Sequence, residues 1–262
     1  MTHLLRPQGG PPLRTVFLDL GDTLMHIHPS VPELYLRSAR DLGLDVDAIA
    51  VDRALVAGER YYQDALAARL SFESSIVEAR RFWHEYHSLV VGELGVAQGS
   101  RRDVLAHALT ERFWSPSSWR TFPEVHDVLG RLHAAGLQLA VISNFTDALA
   151  AVCATHELDG YLDCLVASAS VGAQKPDTAI FREALRRTGA DPAASLHVGD
   201  SYLADVLGAR ASGIAGILID RSRRGRPGMF DFTRAGASGT TAGVRLDCPV
   251  IADLTELLAL VD

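Results

Sequence analysis

The 262-residue chain has few cysteines, no excess of positive charge and no long apolar segment. Its three cysteines, Cys153, Cys164 and Cys248, show no CxxC spacing, which argues against a disulfide framework and a zinc site. A net charge of −7 argues against a general nucleic-acid binder. No apolar run approaches the roughly 18 residues that span a bilayer, and the first residues lack the apolar core of a signal peptide. We therefore expect an acidic, soluble, cytoplasmic protein that binds neither nucleic acid nor membrane.

Proline is absent from Glu33 to Ser115, and this stretch holds only five glycines. Apolar residues recur in it at helical spacing, which predicts four helices with breaks near Gly43, Ser71 and the region 92–99. No strand pattern interrupts them. The stretch therefore predicts an all-helical unit.

Outside this stretch, short apolar runs alternate with helical patterns. Strands are predicted at Thr15–Leu20, Leu137–Ser143, Cys164–Ser168, Ser195–Gly199 and Gly216–Asp220. Helices are predicted at Glu124–Ala135, Thr146–His156, Asp177–Thr188 and Tyr202–Ser212. This alternation indicates an α/β fold with βαβ units on a parallel sheet. We predict a flexible tail over residues 1–12, a core formed by 13–28 and 119–262, and a helical insert over 29–118.

Polar residues stand at the carboxyl ends of four predicted strands. Asp19, Asp200 and the pair Ser143–Asn144 end or follow strands, and Lys175 lies in the loop after another. In open α/β sheets this edge binds ligands. Two carboxylates repel each other unless a divalent cation lies between them, and Mg²⁺ prefers such oxygen ligands. A lysine and a hydroxyl suit a phosphate. The edge predicts Mg²⁺-assisted phosphoryl chemistry with an aspartate nucleophile.

Four motifs resemble those of the haloacid dehalogenase superfamily. They are FLDLGDTL at 17–24, VISN at 141–144, QKPD at 174–177 and HVGDSYLAD at 197–205, in the superfamily's order and across nearly the whole chain. The resemblance implies a Rossmann-like parallel-sheet core with an inserted all-helical cap of type 1, as in subfamily I. The pattern is most similar to the haloacid dehalogenase-like hydrolase domain-containing proteins, whose first motif also departs from DxDGT.

The resemblance also implies a role for each site residue. Asp19 would be the nucleophile, and Lys175 would neutralise its charge and that of the phosphate. The implied phosphate-binding residues are Thr23, Ser143, Asn144 and Lys175. The implied Mg²⁺ ligands are Asp19, the main-chain carbonyl of Gly21, Asp200 and Asp205, although Asp205 could instead support the site from behind. The implied reaction is hydrolysis of a small phosphorylated metabolite through an aspartyl-phosphate.

Gly21 stands where the family places a second aspartate that acts as general acid and base. A positioned acid or base contributes about 10²–10⁴-fold to rate. Its absence predicts a weak enzyme that cleaves aryl and acyl phosphates faster than alkyl phosphates. Asp22 is adjacent, but the one-residue shift points its side chain elsewhere. His26 and His28 are further candidates, for which solvated loop histidines are the favoured interpretation.

Two other functions stay open. A haloacid dehalogenase also uses the first-motif aspartate, but that branch of the family needs no Mg²⁺ and lacks GDxxxxD. A catalytically impaired protein that only binds phosphate and metal is favoured by Gly21 alone. Phosphate release that is lost in Asp19→Asn would separate a phosphatase from a binding protein. Either a monomer or a homodimer fits the sequence.

Three groups of side chains outside the motifs have a predicted place. The adjacent Tyr61 and Tyr62 cannot share one helical face, so one of them can face the cleft. Five aromatic residues are predicted to form the core of the insert; they are Phe82, Trp83, Tyr86, Trp114 and, just after its last residue, Trp119. A cluster of four arginines indicates a mobile, solvated loop. The alternative is that the cluster recognises an anionic substrate. The four residues are Arg221, Arg223, Arg224 and Arg226.

Overall fold

The computed structural model describes residues 11–68, 70–224 and 246–260, and eight strands lie within them. The strands are β1 (Thr15–Leu18), β2 (Met25–Ile27), β3 (Trp119–Thr121), β4 (Gln138–Ser143), β5 (Cys164–Ala167), β6 (Ser195–Gly199), β7 (Ala215–Ile219) and β8 (Val250–Ile251). Six of them form one sheet in the order β5-β4-β1-β6-β7-β8, and each neighbouring pair is parallel. β2 and β3 form a separate antiparallel pair. The predicted α/β fold with a parallel sheet is confirmed.

β1 lies in the middle of the sheet. Leu18 of β1 pairs with Val141 of β4 on one side and with Val198 of β6 on the other. The strands that follow β1 in the chain therefore lie on both sides of it, β4 and β5 on one side and β6, β7 and β8 on the other. Such a reversal of strand order creates a crevice at the carboxyl ends of the strands. Val16, Phe17 and Leu18 are fully buried, as expected for a strand covered on both faces.

Four helices lie between β2 and β3, as the proline-free stretch predicts. They are α1 (Val31–Asp41), α2 (Ala48–Ala67), α3 (Ile76–Glu93) and α4 (Ser100–Trp114). Side-chain caps explain where three of them begin: Ser30, Asp47 and Ser75 accept hydrogen bonds from main-chain N–H groups of the first turns of α1, α2 and α3. β2 enters this helical insert and β3 leaves it, and the two strands pair with each other at its base.

The aromatic residues of the insert largely pack on one another. Phe82 stacks on Phe72 with ring centroids 3.8 Å apart, and Trp83 contacts Tyr86 at 5.2 Å. Trp119 differs from the expectation for a residue of the helical core. It lies on β3, and its ring packs at 5.6 Å against Phe145, in the loop after β4.

Five further helices accompany the sheet. They are α5 (Val125–Ala134), α6 (Leu149–Thr155), α7 (Ser168–Val171), α8 (Thr178–Thr188) and α9 (Gly208–Ala211). Asp177 caps α8 as expected, since its Oδ1 accepts from Ala179 N at 2.8 Å. The predicted helix Tyr202–Ser212 is a π-helical segment, Tyr202–Leu207, followed by α9. Within the described residues, no helix combines the length and apolarity that a bilayer crossing requires.

Candidate active site

A buried ion-pair network lies at the carboxyl ends of β1 and β6. Asp19 directly follows β1, and Lys175 reaches it from the loop between α7 and α8. Lys175 Nζ donates to Asp19 Oδ1 and to Asp205 Oδ1, each at 2.6 Å. The Lys175 side chain is only 3% exposed. One buried ammonium group therefore bridges two carboxylates that stand far apart in sequence.

The charges of this network set the protonation of its members. Burial alone lowers the pKa of Lys175, but the carboxylates of Asp19 and Asp205 raise it above its usual range. Burial opposes ionisation of Asp205, yet Lys175 and His197 hold its pKa below the usual range. Burial, partly opposed by Lys175, raises the pKa of Asp19. Lys175 therefore stays charged and Asp205 ionised, and the ammonium group of Lys175 favours the carboxylate form of Asp19.

Asp205 is held rigidly from several sides. Its Oδ1 also lies 2.8 Å from Nε2 of the buried His197, and its Oδ2 accepts from Ser201 N at 3.0 Å. Its carboxyl group lies against Gly199 at the end of β6, where an added Cβ would overlap it. Gly199 is therefore required for the close approach of Asp205 to the strand. This geometry favours a role for Asp205 in positioning Lys175; direct metal ligation by Asp205 stays a prediction.

Three carboxylates gather on one side of this network. One oxygen each from Asp19, Asp200 and Asp205 lies within 4.8 Å of the others. Desolvation in the cleft and then the charges of Asp22 and Asp19 raise the pKa of Asp200 well above its usual range, even though solvent still reaches its side chain. Oxygen donors that repel one another in this way suit a hard divalent cation such as Mg²⁺. The residues present therefore fit the expected metal.

The loop after β1 makes a tight turn over this cluster. Asp22 has a φ of 51°, in the left-handed region that aspartate tolerates, and its N–H donates to Met25 O at 2.7 Å. The turn places Thr23 inside the protein. The Thr23 side chain is fully buried, and its Oγ1 forms no hydrogen bond with any residue that the structure describes. A buried hydroxyl without a partner is costly, so Thr23 is suited to bind a ligand oxygen.

Ser143 and Asn144 follow β4, and their side chains differ in what they contact. Ser143 is buried at the end of the strand. Asn144 Nδ2 donates to Lys175 O at 3.1 Å, and its Oδ1 accepts from Lys175 N at 2.7 Å. The Asn144 side chain thus holds the main chain of Lys175 in place. That phosphate binds to Ser143 and Asn144 stays a prediction.

Comparisons with known proteins agree with this arrangement. The sequence profile of the haloacid dehalogenase-like hydrolases matches residues 13–213. The chain belongs to this family. Haloacid dehalogenase-like hydrolase domain-containing protein 3 of Mus musculus is 31% identical over 257 residues, which cover 95% of this chain and 94% of that protein. Ribulose-1,5-bisphosphate 5-phosphatase of Halopiger xanaduensis is 26% identical over 213 residues, 79% of this chain and 84% of that protein.

A solved structure shows the same fold. The magnesium-bound putative HAD-hydrolase YfnB of Bacillus subtilis superposes with a TM-score of 0.73 at 15% identity, over 96% of this chain and 100% of that one. The family resemblance inferred from the four motifs is therefore confirmed, and this chain is a haloacid dehalogenase-like hydrolase with a Rossmann-like core and a helical insert.

Arg221 corrects the prediction of a solvated arginine loop in this hydrolase. Its side chain is buried; Nε donates to Asp22 O at 2.9 Å, Nη1 to Glu124 Oε1 at 2.7 Å and Nη2 to Thr23 O. The guanidinium also lies 3.4 Å from the ring centroid of Phe122. The cluster of arginines in the sequence predicted a solvated loop. The planar guanidinium group of Arg221 instead binds two carbonyls and a carboxylate that are far from it in sequence. Arg221 therefore fixes the turn after Asp19.

The remaining arginines of this group do not share the arrangement of Arg221. Arg223 is exposed and pairs with Asp220 at 3.2 Å, as a solvated residue would. The side chain of Arg224 and all of Arg226 lie outside the described part of the chain, as do residues 1–10 of the predicted tail. The mobility of this loop and its alternative role in recognising an anionic substrate stay predictions.

The insert contributes two groups to the same cleft. Tyr62 packs against Phe72, the neighbour of Glu73, with ring centroids 5.6 Å apart. Burial and then the charges of Glu73 and Asp200 raise the pKa of Tyr62, so it is the member of the tyrosine pair on the side of the carboxylates. Tyr61 instead donates to Glu85 Oε2 at 2.8 Å on the exposed side. Sequence reasoning missed Glu73, because the loop SFESS that contains it reads as an ordinary polar turn.

Proposed function

We propose that this hydrolase is a Mg²⁺-dependent phosphatase that cleaves a small phosphorylated metabolite through an aspartyl-phosphate on Asp19. The observation that carries the proposal is the buried Asp19–Lys175–Asp205 network, together with a buried Thr23 hydroxyl that has no hydrogen-bond partner among the described residues. A nucleophile, a fixed cation and a hydroxyl that can donate a hydrogen bond to a phosphate oxygen would then share one crevice. The name of the haloarchaeal relative, a sugar-bisphosphate phosphatase, supports the same chemistry.

Each residue of the network would act at a definite point of the reaction. Asp19 attacks phosphorus as a carboxylate, and the bond from phosphorus to the leaving oxygen breaks. Lys175, whose charge is fixed by its two carboxylate partners, stabilises the negative charge that gathers on the phosphoryl oxygens. Thr23 and Ser143 donate hydrogen bonds to those oxygens. Water then attacks the phosphorus and releases Asp19.

The metal would be held by Asp19, Asp200 and the main-chain carbonyl of Gly21, and by Asp205 if it ligates directly. Gly21 has no side chain but keeps this carbonyl, so its departure from the family motif leaves the metal site possible. When bound, Mg²⁺ neutralises carboxylate and phosphate charge and polarises the phosphoryl group. The structurally similar YfnB binds magnesium, which supports this assignment.

The helical insert would act as a cap domain of residues 29–118 over a core of residues 13–28 and 119–262. Contacts already join the two: Gln174 Nε2 donates to Leu70 O at 3.2 Å, and Ser168 Oγ donates to Glu73 O at 2.6 Å. The magnesium-bound structure of YfnB reveals interdomain movement in that protein. Opening of such contacts would admit substrate, and closure would exclude water.

The test measures phosphate release from aryl, acyl and alkyl phosphates, with Mg²⁺ and with a chelator. The variants are Asp19→Asn and, as a matched control, Asp159→Asn, which changes an exposed carboxylate between α6 and β5. We expect Mg²⁺-dependent release that is lost in Asp19→Asn and kept in the control. No release from any ester would favour the binding protein, and chloride release from 2-haloacids would favour the dehalogenase.

A further inference from the structure

Glu73 lies in the loop between α2 and α3 and is fixed against the core. Its N–H donates to Gln174 Oε1 at 2.6 Å, and its carbonyl accepts from Ser168 Oγ at 2.6 Å. Gln174 directly precedes Lys175, and its other amide atom donates to Leu70 O at 3.2 Å. The main chain of Glu73 is therefore held beside the lysine of the site from both sides.

The carboxyl group of Glu73 is buried and only half satisfied. The residue is 6% exposed. Oε1 accepts from Trp83 Nε1 at 3.2 Å, whereas the buried Oε2 has no hydrogen-bond partner among the described residues. A buried carboxyl oxygen that has no partner among the described residues, and on which the charges of Lys175 and Asp19 act, is available to a ligand atom.

The electrostatic surroundings keep a proton on this group. Burial raises the pKa of Glu73 to about 8, against the lowering effects of Trp83 and Lys175 and with a further raising effect of Asp19. Tyr62 faces it from α2 as a neutral phenol, since burial and Glu73 itself raise the pKa of that tyrosine. Because Oε1 is already an acceptor, the proton belongs on Oε2. A group that titrates near neutral pH suits both proton donation and proton uptake.

We propose that Glu73 supplies the general acid and base that the loop after β1 lacks at Gly21. The proposal rests on the phosphatase function above. As Asp19 attacks phosphorus, the electron pair of the breaking bond goes to the leaving oxygen, which takes the proton from Glu73 Oε2. The resulting Glu73 carboxylate then accepts a proton from the water that attacks the aspartyl-phosphate. Phosphate leaves, and both side chains return to their starting states.

Glu73→Gln tests this role through the leaving group. Glutamine keeps the acceptor for Trp83 but has no acidic proton. For alkyl phosphates we expect kcat/KM to fall by about 10²–10⁴-fold, because an alkoxide leaves poorly without a proton. For p-nitrophenyl phosphate we expect kcat/KM to change little, with a burst of nitrophenolate followed by slow turnover. The preference for aryl and acyl phosphates that Gly21 alone predicts would then be seen in Glu73→Gln and not in the natural protein.

Two further variants separate acid loss from loss of packing. Glu85→Gln changes an exposed glutamate of the same insert and should leave both kcat/KM values unchanged. Gly21→Asp in the Glu73→Gln background returns a carboxyl group to the family's usual position. We expect it to restore much of the kcat/KM for alkyl phosphates. Thermal unfolding of each variant checks that it folds.

A spectroscopic measurement examines the proton directly. Infrared difference spectra between neutral and alkaline pH, recorded on the full chain with Mg²⁺, should show a protonated carboxyl band that Glu73→Gln lacks. Equal losses of kcat/KM on aryl and alkyl esters, or absence of that band from the natural protein, would overturn the proposal. If phosphate release is absent or survives Asp19→Asn, the phosphatase function itself fails, and the role of Glu73 fails with it.

Discussion

Replacement of Arg221 by alanine is the sharpest test of how this site is held together. The variant removes the guanidinium that binds the carbonyls of Asp22 and Thr23 and the carboxylate of Glu124. The Arg221 side chain is 4% exposed and that of Glu124 14%, so little water can replace the lost partner. Loss of one partner of a buried ion pair costs about 3–5 kcal/mol.

We expect the lower end of that range, about 3 kcal/mol, because solvent still reaches part of Glu124. For a chain of this size, this corresponds to a fall in Tm of roughly 6–12 °C. The turn that carries Thr23 would also shift, and a displacement of about 1 Å in a site can cost about 10²-fold in rate. Arg221→Lys keeps the charge but loses the planar fork, so it should lie between the alanine variant and the natural protein.

Arg223→Ala is the matched control, two residues along the chain. Its side chain is 53% exposed and, among the described residues, forms its ion pair with the half-buried Asp220. Such a pair contributes at most about 1 kcal/mol, so Tm should fall by no more than about 4 °C. Thermal unfolding and phosphate release would be measured on both variants. Equal falls in Tm for the two arginines would refute the claim that Arg221 anchors the turn.

Three further predictions concern stability and the support of the site. Gly199→Ala should displace the Asp205 carboxyl and lower both Tm and phosphate release, whereas Gly160→Ala, at an exposed glycine with open space around it, should change neither. Burial lowers the pKa of His87 to about 3, so the unfolded chain binds the extra proton between about pH 6.5 and 3. Stability is therefore lost as pH falls through that window, and the slope of the urea midpoint against pH should decrease in His87→Gln. Asp177→Ala removes the cap of α8 and should cost about 1 kcal/mol in urea unfolding.

The fold was predictable where a pattern repeats over many residues. Three of the four insert helices begin at side-chain caps, and none contains a proline beyond its first turn. Each strand of five residues or more matches its apolar run to within one residue at either end. The short pair β2–β3 and the two-residue β8 were not predicted, because two or three residues show no period. Asp19 and Leu20 were predicted within the first strand but follow it, since the chain turns there.

The site was predictable only where a residue belongs to a local motif. Asp19, Lys175 and Asp205 occupy short patterns that recur in the family, and the structure brings their charged groups together. Arg221 and Glu73 have no such pattern. Their burial depends on partners about a hundred residues or more away in sequence, Thr23 and Gln174. Sequence reasoning predicts that a charged side chain is exposed unless its distant partners are known.

In the proposed mechanism, the absence of a carboxyl group at Gly21 and the place of Glu73 on the insert would make proton transfer depend on closure of the insert. An acid at position 21 would be attached to the same loop as Asp19 and would be present whether the insert is open or closed. Glu73 is carried by the insert, and Gln174 and Ser168 bind its main chain; in the proposed mechanism it would act only while these contacts are formed. Transfer of the proton-donating role to Glu73 would therefore make cleavage depend on closure. An ester that lets the insert close would be cleaved, and one that holds it open would bind beside Lys175 without a proton donor.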